Sequence, residues 1–247
     1  MMERFLTSYG ASVRGPLHQK EGTPNEDAWL RANGVFGSLV VVCDGLGSKT
    51  YARHGARSAC KAVLEAIVIW TRVHEAPIIY LAHLIEVFWR LQIHPCQPKD
   101  AATTCLIAWM RQNGECVFGG IGDGLLAVRT GDDPIFCLFG ERRDDFSSQT
   151  YALGSSRGLK AWRFHHLPPT PFERMMVLAT DGVSDDLVPE KIDGFCKWVV
   201  DSFQNIDPAA RWRRLATELR SWPTPKHLDD KTLAVLKISA ELSKGEA

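Results

Sequence analysis

Apolar and polar positions along the chain fall into two periods, and the change from one to the other marks out its elements. Short strand-like runs lie near Phe5 to Val13, Asp27 to Ala32 and Phe36 to Cys43. The last carries the unbroken stretch Leu39-Val40-Val41-Val42, which predicts a strand buried on both faces. From Tyr51 to Trp70 the period becomes helical: Ala52, Ala56, Ala59, Val63, Ala66, Ile67 and Trp70 form one stripe, with Arg53, Arg57 and Lys61 set off it. A second helix is expected from about Ile78 to Leu91. After the Gln97-Pro98-Lys99 break, strands return at Thr103 to Arg111, Glu115 to Ile121, Leu125 to Arg129 and Ile135 to Phe139, with Asn113-Gly114 as a hairpin turn between the first two. Glu141 to Gly158 is polar and irregular and reads as a surface excursion. Strands then follow at Trp162 to His166 and Arg174 to Ala179, helices at Ile192 to Phe203 and Pro208 to Ser221, and a closing strand at Thr232 to Ile238.

Strands, two helices, more strands, two helices and a last strand describe an α+β domain, not the regular alternation of a doubly wound sheet. The expected architecture is an antiparallel β-sandwich flanked on each side by a pair of α-helices. With 247 residues, 45% of them hydrophobic, the chain suffices for one domain spanning 1–247. Lys and Arg number 29, as do Asp and Glu, so no net field draws it to nucleic acid or to an anionic membrane. The seven cysteines are scattered, mostly within apolar runs, and form no C-x-x-C pair; they read as buried thiols in a reducing compartment. Met1 to Leu6 lacks the apolar core of a signal peptide, and no apolar stretch is long enough to span a bilayer, so a cytoplasmic monomer is expected.

Four acidic motifs stand where apolar strands run out. Asn25-Glu26-Asp27 opens one strand and Asp44-Gly45-Leu46-Gly47 closes another; Thr180-Asp181-Gly182 closes a third, and Asp229-Asp230-Lys231-Thr232 opens the last. Each alone reads as a turn or as solvated charge. Together they would gather carboxylates at one rim of a sandwich, an arrangement suited to hard cations that prefer oxygen ligands.

The ordered set resembles the PPM, or type 2C, metal-dependent protein phosphatases. Their motifs N-[EQ]-D, D-G-x-G, a Thr-Thr pair, G-D-[SG], T-D-G and D-[ND]-x-T appear here as Asn25-Glu26-Asp27, Asp44-Gly45-Leu46-Gly47, Thr103-Thr104, Gly122-Asp123-Gly124, Thr180-Asp181-Gly182 and Asp229-Asp230-Lys231-Thr232. Asp44 to Ser48, with Gly55-Ala56 early in the next helix, is similar to a compact bacterial branch of that family.

The resemblance implies a four-layer αββα fold and a phosphatase acting on phosphoserine or phosphothreonine in proteins, by attack of a water bridging two divalent cations, Mn²⁺ or Mg²⁺. Carried over residue by residue, Asp44 would bridge the two ions and Gly45 would lend its carbonyl oxygen. Asp181 and Asp230 would complete the shell, making Asp44, Asp181 and Asp230 the catalytic set. Glu26 or Asp27 would hold ion-bound waters, and Asp123 matches a position that supports a third, weaker ion with Asp181. Gly122-Asp123-Gly124 also reads as an ordinary hairpin turn, and Thr103-Thr104 either supports the ligands from behind or simply fills a strand.

Two departures concern the substrate. Many relatives carry a phosphate-clamping arginine four residues before the position of Glu26; that residue here is Gly22, with His18 and Lys20 the nearest candidates to replace it. Several also place a histidine two residues after the bridging aspartate, where this chain has Leu46. Arg142, Arg143 and Arg157 in the polar excursion could meet a phosphopeptide. The missing groups leave open a catalytically weak relative that binds phosphoproteins as a regulator, and because metal chemistry does not itself select a protein substrate, a phosphatase for small phosphoesters is a further alternative.

Overall fold

The structure is a computed structural model, and it describes residues 6–72, 76–139, 151–155, 158–222 and 228–239. In chain order the elements are β1 (Leu6–Val13), α1 (Pro16–Glu21), β2 (Ala28–Gly34), β3 (Gly37–Cys43), α2 (Ala52–Trp70), α3 (Ile79–Ile93), β4 (Cys105–Met110), β5 (Cys116–Ile121), β6 (Leu125–Thr130), β7 (Phe136–Phe139), α4 (Gly158–Ala161), β8 (Arg163–Leu167), β9 (Arg174–Ala179), α5 (Asp181–Ser184), α6 (Ile192–Phe203), α7 (Pro208–Arg220) and β10 (Lys231–Ile238). They build two five-stranded sheets, ordered β1-β10-β9-β6-β7 and β2-β3-β4-β5-β8. Every strand pair is antiparallel.

Apolar side chains divide among three layers. Along β3, Leu39 and Val41 face α2 and α3, where they pack with Ile67, Trp89 and Trp109, whereas Val40 and Val42 face the other sheet with Leu106, Leu178 and Leu236. This two-sided burial explains the unbroken apolar run. Val177, Leu233 and Val235 cover the opposite side of the first sheet beneath Phe195, Val199 and Leu215 of α6 and α7. The buried indoles keep their donors satisfied: Trp89 Nε1 donates to the Gly55 carbonyl at 3.0 Å and Trp109 Nε1 to that of Phe36 at 2.8 Å.

The expected α+β sandwich with helices outside it is therefore the fold. Local differences have local causes. Helix α1 was not anticipated from the hydrophobic pattern, because it buries no residue and so has no apolar stripe; Pro16 opens it and Gly22, at φ 74°, ends it. Strand β4 begins at Cys105, two residues later than the pattern suggests, since Thr103 and Thr104 are engaged with the end of β3. Trp162 lies before β8, after the short α4. Phe5, Arg142, Arg143 and Arg157 lie outside the described residues. Within the polar excursion, Leu153 exchanges backbone hydrogen bonds with Thr103 at 2.9 and 3.2 Å.

Antiparallel pairing brings the end of one strand beside the start of its neighbour. Ala28 of β2 pairs with Cys43 of β3, and Ala179 of β9 lies between Leu125 of β6 and Leu233 of β10. The acidic motifs all extend these ends and so fall on one rim.

Candidate metal centre

Asp44 is held from behind by the Thr103-Thr104 pair. Its backbone N–H donates to Thr104 Oγ1 at 2.9 Å, while its carbonyl accepts from Thr103 Oγ1 at 2.7 Å and from the Thr104 N–H at 2.8 Å. The carboxylates of Asp44, Asp123 and Asp181 converge, each offering an oxygen within 4.8 Å of the others. Burial holds the Asp44 carboxyl well above the usual carboxylate range, and the charges of Asp27, Asp181, Asp229 and Asp123 add to that. Asp181 is pushed to about 6, first by burial and then by Asp123, Asp229 and Asp185.

The turn that carries Asp181 packs against the start of β10. A side chain at Gly182 would collide with the Asp230 carbonyl, so glycine is required there. At Gly45 an added Cβ would meet the Ala52 carbonyl at 2.5 Å and that of Glu26 at 2.9 Å, so the chain after Asp44 can pass only as glycine.

The two consecutive aspartates before β10 have different surroundings. Asp230 is 2% exposed, and both its carboxylate oxygens are engaged: Oδ1 accepts from the Gly15 N–H and Oδ2 from the Glu26 N–H, each at 2.6 Å. His18 Nδ1 also lies 2.9 Å from Oδ2. Asp229 is exposed, its Oδ1 accepts the Asp230 N–H at 2.7 Å, and its charge acts on both Asp44 and Asp181. Both aspartates lie in the bend before β10 and not in the strand, so the segments packed around that bend set which way each points. Sequence reasoning named Asp230; Asp229 stands beside it, and His18, Asp229 and Asp230 form a second group of possible ligands, each offering an atom within 4.8 Å of the others.

The other expected residues are also located. Asp27, 6% exposed, accepts from Thr180 Oγ1 at 2.9 Å and from Thr232 Oγ1 at 2.7 Å, and lies beneath the rim. Burial raises its pKa to about 8; the two threonine hydroxyls oppose the shift, and the charges of Asp230 and Asp181 add to it. Glu26 Oε2 is buried and has no hydrogen-bond partner among the described residues, and burial raises the Glu26 pKa. Asp27 is thus committed to threonines, and Glu26 is the acceptor left over. His18 is brought to the acidic rim: burial lowers its pKa, but the hydrogen-bonding and charge of Asp230, with Asp229 and Glu26, outweigh that and raise it. Lys20 is exposed on α1 and has no ion pair with the acidic groups among the described residues. Leu46 donates its N–H to the Ala102 carbonyl at 3.0 Å and brings no ionisable group.

The residues fit hard divalent cations. The donors at the rim are carboxylates joined by one imidazole, burial and then mutual repulsion raise the pKa values of Asp44 and Asp181, and the buried Glu26 Oε2 is left without a partner among the described residues.

Two antiparallel sheets packed face to face, helices outside them and carboxylates gathered at one rim define the layered class of metal-dependent phosphatases. The family profile described as protein phosphatase 2C matches residues 14–222, and the chain belongs to that family. No curated protein sequence matches significantly. Among solved structures, the PPM Ser-Thr phosphatase MsPP from Mycobacterium smegmatis, in complex with cacodylate, is similar with a TM-score of 0.63 at 19% identity, over 95% of this chain and 98% of that one. The photosystem II phosphatase PBCP gives 0.65 at 18% identity, over 96% and 100%. The catalytic domain of the serine/threonine phosphatase PstP, in complex with two manganese ions, gives 0.60 at 15% identity, over 96% and 100%. At these identities the likeness is one of fold. No helix among the described residues is long and apolar enough to cross a membrane.

Proposed function

We propose that the protein is a protein-serine/threonine phosphatase that works with two divalent cations, Mn²⁺ or Mg²⁺. The observation that carries this reading is the convergence of Asp44, Asp123 and Asp181, with Asp229 acting on the same group, at the rim of a protein phosphatase 2C fold. PstP and RsbX, solved with manganese and magnesium respectively, support the choice of ions. Asp44, Asp181 and Asp229 would hold the ions with the Gly45 carbonyl, Glu26 would accept from a water of the site, and Asp123 would serve a third, weaker position. When bound, such ions lower the pKa of a water between them and neutralise phosphoryl charge.

In this reading Asp230 acts chiefly as a positioning residue, its two oxygens each accepting a backbone amide. It also holds His18 by Nδ1, which leaves Nε2 for a phosphoryl oxygen where relatives use an arginine. Lys20 is the weaker candidate for that contact. A phosphocysteine route is disfavoured: Cys43, Cys60, Cys105, Cys116 and Cys196 are buried. Seven free thiols also suit a reducing, cytoplasmic setting.

Assays with Mn²⁺ on a chromogenic phosphoester and on a phosphothreonine peptide test the reading. The wild type is expected to hydrolyse both and Asp44→Asn neither. Equal inactivity of the two proteins would overturn the enzyme in favour of a phosphoprotein-binding regulator; turnover of the small ester alone would overturn the protein substrate.

A further inference from the structure

Lys231 begins β10, directly after Asp229 and Asp230, and its side chain is unusually placed for a lysine. The residue is 2% exposed. Its strand neighbours on the same side, Leu233 and Val235, belong to the apolar layer under α6, so the stem enters the interior and not the solvent. The Cγ passes beneath the turn after Asp181, 3.5 Å from where a side chain at Gly182 would begin. Its Nζ donates to the Asp229 carbonyl at 3.2 Å.

A buried ammonium is costly unless opposite charge surrounds it. Burial lowers the Lys231 pKa, and the carboxylates of Asp186, Asp229, Asp230 and Asp27 oppose that and favour the charged form. Asp186 contributes an Oδ2 that is buried and lacks a hydrogen-bond partner. Among the described residues none of these carboxylates forms an ion pair with Lys231 within 4.0 Å, and its Nζ is fixed by the Asp229 carbonyl. The turn bearing Asp181 and the segment bearing Asp229 thus meet across one internal positive charge.

We propose that Lys231 is a positioning residue of the metal centre: a built-in counter-cation that holds the metal-free carboxylates together and keeps divalent-ion affinity below what the same carboxylates would otherwise reach. This rests on the metal-centre reading above. It follows from Coulomb's law, since a fixed positive charge relieves carboxylate repulsion while repelling an incoming dication.

The test uses the full chain stripped with EDTA, with Mn²⁺ titrated by calorimetry and thermal unfolding recorded without metal. Lys231→Gln keeps a donor for the Asp229 carbonyl and removes the charge; Lys231→Arg keeps the charge. Lys231→Gln is expected to lower the metal-free Tm by several degrees and to bind Mn²⁺ on the order of 10-fold more tightly, with Lys231→Arg near wild type in both. If the metal-free Lys231→Gln protein does not fold, adding Asp186→Asn should restore folding, and failure to do so would overturn a charge-based role. Wild type that binds Mn²⁺ with Lys231→Gln binding it equally or more weakly would sink the role of Lys231 alone. Wild type that fails to bind Mn²⁺ would remove the metal centre as well.

Discussion

His18 Nδ1 stands 2.9 Å from Asp230 Oδ2, so the helix between β1 and β2 is tied to the start of the last strand by an imidazole and a carboxylate. The same carboxylate takes the N–H groups of Gly15 and Glu26. One buried side chain therefore closes the loop that carries His18 and sets the start of the Glu26-Asp27 segment.

Adjacent aspartates should consequently fail in different ways. Asp229→Asn is expected to weaken Mn²⁺ binding and cut phosphatase activity by roughly 100-fold or more with little change in metal-free stability, as befits loss of a ligand for the catalytic ions. Asp230→Asn should lower stability by about 1–3 kcal/mol, because a buried acceptor of backbone amides is weakened. Calorimetric titration with Mn²⁺ and chemical denaturation of both variants would check this; matching defects would refute the division of labour.

Stability of the metal-free protein should fall as pH rises. Asp181 and Asp27 have folded-state pKa values near 6 and 8, and that of Asp44 is also raised, all above the ordinary 3.8 of an unfolded aspartate. Between these values the unfolded chain has released protons that the folded chain still binds, so raising the pH favours unfolding across roughly pH 4 to 8. Melting curves in EDTA should therefore shift downward from pH 5.5 to 8.5, and saturating Mn²⁺ should largely remove the trend. A flat or rising EDTA profile would contradict the raised pKa values.

Gly182→Ala should be severely disruptive for so small a change. The added methyl collides with the Asp230 carbonyl, a backbone atom that cannot swing aside. A loss of about 2–4 kcal/mol is expected by overpacking, together with weaker Mn²⁺ binding as the Asp181 turn is displaced. Urea denaturation and metal titration measure both.

Thr104→Val removes the acceptor for the Asp44 N–H while keeping the strand-compatible shape. The orphaned donor is expected to cost about 1–3 kcal/mol and to reduce kcat more than it alters the melting of distant elements. Restoration by Thr104→Ser would tie the effect to the hydroxyl; no restoration would assign it to packing.

Much of the fold was legible in the residues alone. Hydrophobic period distinguishes the helices at Ala52–Trp70 and Ile192–Phe203 from the strands, because a buried face must repeat with the geometry of its element. Glycine after Asp44 and Asp181, and acids at strand ends, marked the rim for the same local reason. Helix α1 left no such trace, since a helix with nothing buried needs no period.

The sequence by itself thus determined the layered class, the set of rim acids and the family they resemble, all consequences of local periodicity and motif order. Only the tertiary structure decided which acid faces which way. Asp229 and Asp230 are equivalent as letters, but the fold leaves one exposed and buries the other against Gly15, Glu26 and His18. Lys231 likewise is buried only once β10 pairs with β1 and the Asp181 turn passes beside its stem. Orientation of a side chain depends on neighbours distant in the chain, and no local pattern encodes them.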